Sequence, residues 1–123
     1  MLLLDASILI DFLNKISQAV DYFLAIDSRQ AAISAVTLAE VLAGADEQEK
    51  AQILLFTDRF HFLNIDKETA VFAADLRQKY HWKLPDSFQA ALALKHNLIF
   101  VTRNTKDFNP AVHKFVKIPY KLR

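Results

Sequence analysis

The chain has 123 residues, 53% of them hydrophobic and 24% charged, with a formal net charge of +1, a single glycine and no cysteine. That length and apolar content predict one domain, residues 1–123, with a core large enough to need no disulfide or structural metal, and they exclude an extended disordered chain. The lack of cysteine excludes disulfides, thiolate chemistry and Cys-ligated zinc and fits a reducing cytoplasm, while the small net charge requires any attraction for nucleic acid to come from a local basic surface.

The first stretch, MLLLDASILIDFL, opens with an apolar run that reads as a buried strand, places a lone carboxylate at Asp5, and passes through Ala6 and Ser7 into a helix. Ile8, Leu9, Phe12 and Leu13 fall at helical spacing up to Lys15. No basic leader precedes the run, and Asp5 and Asp11 interrupt it well short of ~18 apolar residues, so neither a signal peptide nor a membrane span is expected. A second helix, 18–26, carries Val20, Phe23 and Leu24. Ala31, Ala32 and Ile33 form a short apolar strand, and Thr37-Leu-Ala-Glu40 reads as a capping box that starts a helix stopped by Gly44, which puts Glu40 in a first helical turn.

Residues 47–60 are amphipathic, with Ile53, Leu54 and Phe56 expected to be buried, and 62–65 read as a strand bounded by Asp66. In the helix 67–80, Phe72, Ala73, Leu76 and Tyr80 share one face and the charged residues the other. Leu84-Pro85-Asp86 opens the next helix with proline in its preferred first turn, and 88–94 are apolar nearly all the way round, as in a buried helix. Asn97 ends it, 98–101 is the most strand-like run in the chain, 102–108 is the loop leaving that strand, and 115–118 reads as an edge strand. Strands alternating with helices predict an α/β fold with a central, mainly parallel sheet of four to five strands covered by helices on both faces.

In such a sheet ligands bind in the crevice beyond the carboxyl ends of the strands. Asp5 follows one strand, Glu40 opens the helix after another, Asp86 opens the helix before a third, and Asp107 lies just past that third strand, so all four belong at one end. Carboxylates gathered there repel one another unless a cation neutralises them or some stay protonated. An oxygen-only donor set with no thiol and no His pair suits Mg²⁺ or Mn²⁺.

These residues carry a resemblance. The chain resembles the PIN-domain family, and more closely the VapC-type toxin ribonucleases, in Leu4-Asp5-Ala6-Ser7-Ile8-Leu9-Ile10, Thr37-Leu-Ala-Glu40-Val-Leu-Ala-Gly44, Pro85-Asp86-Ser-Phe-Gln-Ala-Ala-Leu-Ala93 and Thr102-Arg-Asn-Thr-Lys-Asp107-Phe108. The likeness spans almost the whole length, and the motifs occur in the family's order. It implies a three-layer PIN-like fold. It also implies that Asp5, Glu40 and Asp86 take the positions of the metal-coordinating acids, with Ser7 beside the first. Thr102, Asn104 and Asp107 cover the fourth position; members often carry an acid where Asn104 stands, which leaves Asn104 and Asp107 both open for it. The implied activity is Mg²⁺- or Mn²⁺-dependent cleavage of RNA by an activated water, with one or two ions, in the toxin of a VapBC-like pair. The implied partners are a second copy of the chain and a small VapB-like antitoxin whose tail covers the acidic pocket. Lys15, Arg29, Lys83, Arg103 and Lys106 are the basic candidates for RNA contact from loops expected to border the site.

Blander roles compete with these. Glu40 could be only the capping partner of Thr37, Asp86 only a first-turn acid suited to the helix dipole, and Asp107 only part of a turn with Asn104. Asp5 has no capping duty that Ser7 would not meet. Asp11 is expected to face solvent or a partner and is left out of the site; the four histidines have no ligand spacing, and Trp82 is core or an interface residue. A non-catalytic PIN-like module that binds RNA or protein has no reason to bear the charge repulsion. A phosphoacceptor receiver domain needs an acid pattern that 62–66 supplies poorly, and a related DNA nuclease is compatible with the same residues.

Overall fold

The computed structural model describes residues 1–122. Strand β1 (Leu2–Leu4) is followed by helices α1 (Ala6–Leu13) and α2 (Ser17–Ala25), then by a short 3-10 turn at Ser28–Gln30. Strand β2 (Ala31–Ser34), helices α3 (Ala35–Ala43) and α4 (Glu47–Thr57), strand β3 (His61–Leu63), and helices α5 (Lys67–Tyr80) and α6 (Leu84–Lys95) come next, and β4 (Ile99–Val101) and β5 (Val116–Lys117) complete the sheet. The five strands pair in the order β3-β2-β1-β4-β5, and every pairing is parallel.

Because β1 lies at the centre, the chain first builds outward through β2 and β3 and then returns to the other side of β1 for β4 and β5. The connections therefore part company between β1 and β4, and a crevice opens at the carboxyl ends of those two strands. The Asp5 amide donates to the Val101 carbonyl across that gap at 2.9 Å.

Alternate strand residues divide between two cores, as the pleat demands. Leu3, Ala32 and Phe100 pack with Ala73, Leu76, Ala90 and Ala93 of α5 and α6. Leu4, Ala31, Ile33 and Val101 pack with Ile8, Leu9, Val41 and Ile53 of α1, α3 and α4. The result is the expected three-layer α/β arrangement. Alanines at 90, 91 and 93 are all buried, which lets α6 lie close against the sheet.

Local sequence explains most helix starts and two departures from expectation. Asp46 and Glu49 form a reciprocal capping box on α4, and Asp66 caps α5 by accepting from the Thr69 amide. Helix α3, however, is capped by Ser34, whose hydroxyl accepts from the Thr37 amide at 3.1 Å, so Thr37 is not the cap and Glu40 is the sixth helical residue. A cap at the last residue of β2 leaves no loop between strand and helix, and that pulls the helix start forward by a turn. Of the three α4 residues expected to be buried, Ile53 is buried and Phe56 partly so, whereas Leu54 is 44% exposed, because the helix turns it away from the sheet.

Trp82 is buried rather than an interface residue, stacked on Tyr80 with ring centroids 4.4 Å apart and tilted against Phe108 at 4.6 Å. Its indole N–H donates to the Asp107 carbonyl, so this aromatic cluster anchors the loop after β4. Replacing Phe108, which is fully buried against Trp82 and Phe100, with alanine is expected to cost ~3–5 kcal/mol. Urea denaturation followed by the fluorescence of the single tryptophan would read both the lost stability and the wetter indole.

Candidate functional site

Asp5 ends β1 and begins α1, and it does cap that helix: its Oδ1 accepts from the Ala6 amide at 2.8 Å. Its Oδ2 accepts from the Ser7 hydroxyl at 3.0 Å and from the Thr102 hydroxyl at 2.6 Å. A buried carboxylate held by three donors cannot swing, so Asp5 is fixed in place at the crevice. Thr102 and Ser7 are themselves held, since Thr102 Oγ1 accepts from the Asn104 amide and Ser7 Oγ accepts from the Arg103 amide.

Asp86 stands in the first turn of α6, whose amino end points to the same crevice. Burial pushes its carboxyl up to about 6, and the charges of Asp5, Asp107 and Glu40 push in the same direction, with Lys83 as the only opposing charge. Glu40, reaching from α3, is raised by desolvation and by Asp5. Asp86 thus feels the charges of the other three acids, and Glu40 that of Asp5. No hydrogen bond offsets the shift on Asp86 or Glu40, so the lone pairs of both carboxylates are free of protein donors.

The fourth position is shared. The Asn104 side-chain amide donates to Asp107 Oδ2 at 3.0 Å and its carbonyl accepts from the Asp107 amide at 3.2 Å. Asn104 therefore orients Asp107, and Asp107 supplies the charge that Asp86 feels. Among the described residues, no three acids or imidazoles are gathered tightly enough to hold an ion as the side chains stand. The donor chemistry is nonetheless that of a hard-cation site: oxygen atoms only, net negative, with Asp5 rigid and Glu40 and Asp86 free of hydrogen bonds to turn inward.

The predicted basic border divides. Lys83 is the N-cap residue of α6 and Lys106 lies in the loop after β4, both at the crevice end of the sheet. Lys15 follows the far end of α1, and Arg29, paired with Asp27, precedes β2, so both stand at the opposite end of the sheet. Arg103 is not a free cation either. Its guanidinium forks onto Asp11, with Nη2 to Oδ1 at 3.0 Å, and the Tyr120 hydroxyl donates to Asp11 Oδ2 at 2.9 Å. Asp11 is thus buried inside the protein instead of facing solvent. Its spacing of three residues from buried Ile8 put it on the core face of α1, a signal visible in the chain. Its partners, 92 and 109 residues away, were not.

A parallel sheet carrying acids around a crevice at its carboxyl edge defines a class of α/β proteins with an acidic site at the strand ends. The comparisons make the assignment specific. The PIN domain family model matches residues 2–111, and the chain belongs to the PIN-domain family. It is 35% identical to a chain of a toxin–antitoxin complex from Klebsiella pneumoniae, with a TM-score of 0.89, covering 99% of this chain and 100% of that one. It is 25% identical to a chain of FitAcB from Neisseria gonorrhoeae, TM-score 0.79, over 99% and 100% of the two chains. It is 26% identical to a chain of DNA-bound VapBC from Salmonella typhimurium, TM-score 0.70, over 88% and 91%. No curated protein matches the sequence. Among the described residues, no helix is long and apolar enough to cross a membrane.

The raised Asp86 carboxyl has a thermodynamic consequence. It titrates near 3.8 when unfolded and at about 6 in the fold, so stability is lost as pH rises from about 4 through 6 and stays lost above. The loss is ~1–2 kcal/mol once partial exposure discounts the full electrostatic value. Asp86→Asn is therefore expected to raise Tm by roughly 3–8 °C at pH 7.5 and to leave it unchanged at pH 4. Calorimetry of both proteins across that range checks the sign.

Proposed function

We propose that this chain is a Mg²⁺- or Mn²⁺-dependent endoribonuclease and the toxin of a VapBC-like toxin–antitoxin pair. The observation that carries the reading is the raised carboxyl of Asp86, pushed up to about 6 first by burial and further by the charges of Asp5, Asp107 and Glu40 at the same crevice. Membership of the PIN-domain family and the likeness to chains of toxin–antitoxin complexes support it.

Asp5, Glu40, Asp86 and Asp107 would hold the cation, which would acidify a water and take up negative charge on a scissile phosphate. Ser7 and Thr102 keep Asp5 aimed, and Asn104 keeps Asp107 aimed. Asp86 must lose its proton to serve, so cation binding should weaken below pH ~6. Lys83 and Lys106 are the cations placed to meet the phosphates of an RNA strand at the crevice. The partners of this reading are an RNA substrate, a second copy of the chain, and a small antitoxin in the cytoplasm. An arginine from the antitoxin's tail would offset the carboxylate charge as a cation does.

Asp5→Asn and Asp86→Asn are each expected to reduce RNA cleavage at least ~100-fold while the protein stays folded by circular dichroism. Mg²⁺ or Mn²⁺ should raise the Tm of wild type and not that of Asp5→Asn. Cleavage that persists in either variant at matched purity would remove the acids from the reaction. A wild-type melt indifferent to both ions would favour the non-catalytic binding module, and cutting of DNA in place of RNA would favour the related DNA nuclease.

A further inference from the structure

Gln89 is a lone amide in the middle of a helix that is otherwise apolar at that depth, flanked by Phe88 and Ala90 and only 1% exposed. An apolar side chain of the same size would fill the space without the cost of burying an amide, so packing alone does not account for it. Its polar atoms are all directed at one neighbourhood. Its Oε1 accepts from the Ser34 hydroxyl at 2.7 Å, and its Nε2 donates to the Thr37 hydroxyl. The Thr37 hydroxyl in turn donates to the Leu4 carbonyl at 3.2 Å, and Ser34 Oγ accepts from the Thr37 amide.

This buried chain of hydrogen bonds joins three elements that carry the acids of the crevice. Leu4 immediately precedes Asp5, Thr37 stands one turn before Glu40 on α3, and Gln89 stands one turn after Asp86 on α6. Residues three apart on a helix share a face, so Gln89 lies one turn beneath Asp86, Leu4 lies directly beneath Asp5, and Thr37 lies one turn from Glu40 on the same face of α3. The sequence separations it bridges are 33, 52 and 55 residues. Like charges beside this network push β1, α3 and α6 apart, and van der Waals contacts among alanines and leucines resist sliding weakly. Hydrogen bonds confined to about 2.7–3.2 Å resist it strongly.

We infer that Gln89 is a positioning residue: through Thr37 and Ser34 it sets the spacing of Asp5, Glu40 and Asp86, and with it the affinity of the crevice for a divalent cation. The role in cation binding rests on the reaction proposed above; the role in spacing does not.

The test compares wild type with Gln89→Met, which keeps the volume and removes the hydrogen bonds, with Thr37→Val, which breaks the same chain at its next link, and with the double variant. Leu76→Ala, in the core of α5 outside the network, serves as a destabilised control. Each protein is measured for Tm, for Mn²⁺ affinity by electron paramagnetic resonance, and for RNA cleavage. Both network variants are expected to lose roughly 5–10 °C in Tm and roughly tenfold in Mn²⁺ affinity. The double variant should lose little more than either single one, because both act on one network. Leu76→Ala should bind Mn²⁺ as wild type does despite an equal or larger fall in Tm. Network variants that keep wild-type Mn²⁺ affinity, or a control that loses it in step with Tm, overturn the positioning role and leave the reaction standing. If wild type itself binds no Mn²⁺, the reaction fails and crystal structures judge Gln89 alone. A widening of the Cα separations among residues 5, 40 and 86 by about 0.5 Å or more in Gln89→Met sustains the role, and unchanged separations overturn it.

Discussion

Repulsion among carboxylates at the carboxyl edge of one sheet is the constraint around which this protein is built. Asp5, Glu40, Asp86 and Asp107 sit on four different segments, and the other three each raise the cost of ionising Asp86. A fold has no reason to gather such charges for stability, since separating them would lower the energy. Holding them together requires fixed backbones beneath and directed hydrogen bonds around. Both are present: the Asp5 amide bonded to Val101, and the Asp5 carboxylate bonded to Ala6, Ser7 and Thr102.

The acids are not equivalent. Asp5 is buried, fully bonded and immobile, whereas Asp86 and Glu40 carry no hydrogen bonds and Asp107 is steered by Asn104. A pocket with one rigid and several adjustable oxygens can close around a cation without moving its backbone. The same pocket, negative and lined by free carboxylate oxygens, is complementary to a guanidinium. One arrangement therefore accommodates both the working ion and an inhibitory arginine in the function proposed here.

Support for the site reaches into parts of the chain that carry no acid of the crevice. Trp82 bonds the Asp107 carbonyl from within an aromatic cluster under α6, and Phe108 seals that cluster. On the other side, Asp11 draws Arg103 and Tyr120 together, tying α1, the loop after β4 and the C-terminal segment into one unit. Because Thr102 adjoins Arg103 and bonds Asp5, this ion pair also steadies the loop that keeps Asp5 in place. It spends the charge of Arg103 inside the protein, which leaves Lys83 and Lys106 as the basic groups of the predicted set at the crevice.

The elements with strong local signals were legible in the chain. Helix 67–80 follows from its periodicity and Asp66, the start of α6 from Pro85, and β1 and β4 from short β-favouring runs, because these depend on neighbours within a turn or two. The parallel alternation of strands and helices likewise placed Asp5, Glu40, Asp86 and Asp107 at one edge, since strand direction decides which end each follows. Tertiary structure decided what local pattern cannot encode. Ser34 rather than Thr37 caps α3 because β2 ends there, and Asp11 turns inward because Arg103 and Tyr120 arrive from the far end of the chain. Arg29 and Lys15 lie away from the crevice because each occupies the amino side of the sheet. Gln89 could be seen as an amide out of place, but its partners on β2 and α3 exist only once the sheet has formed. Sequence spacing carries hydrophobic faces and strand direction; the distance between side chains that are dozens of residues apart is a property of the packed fold alone.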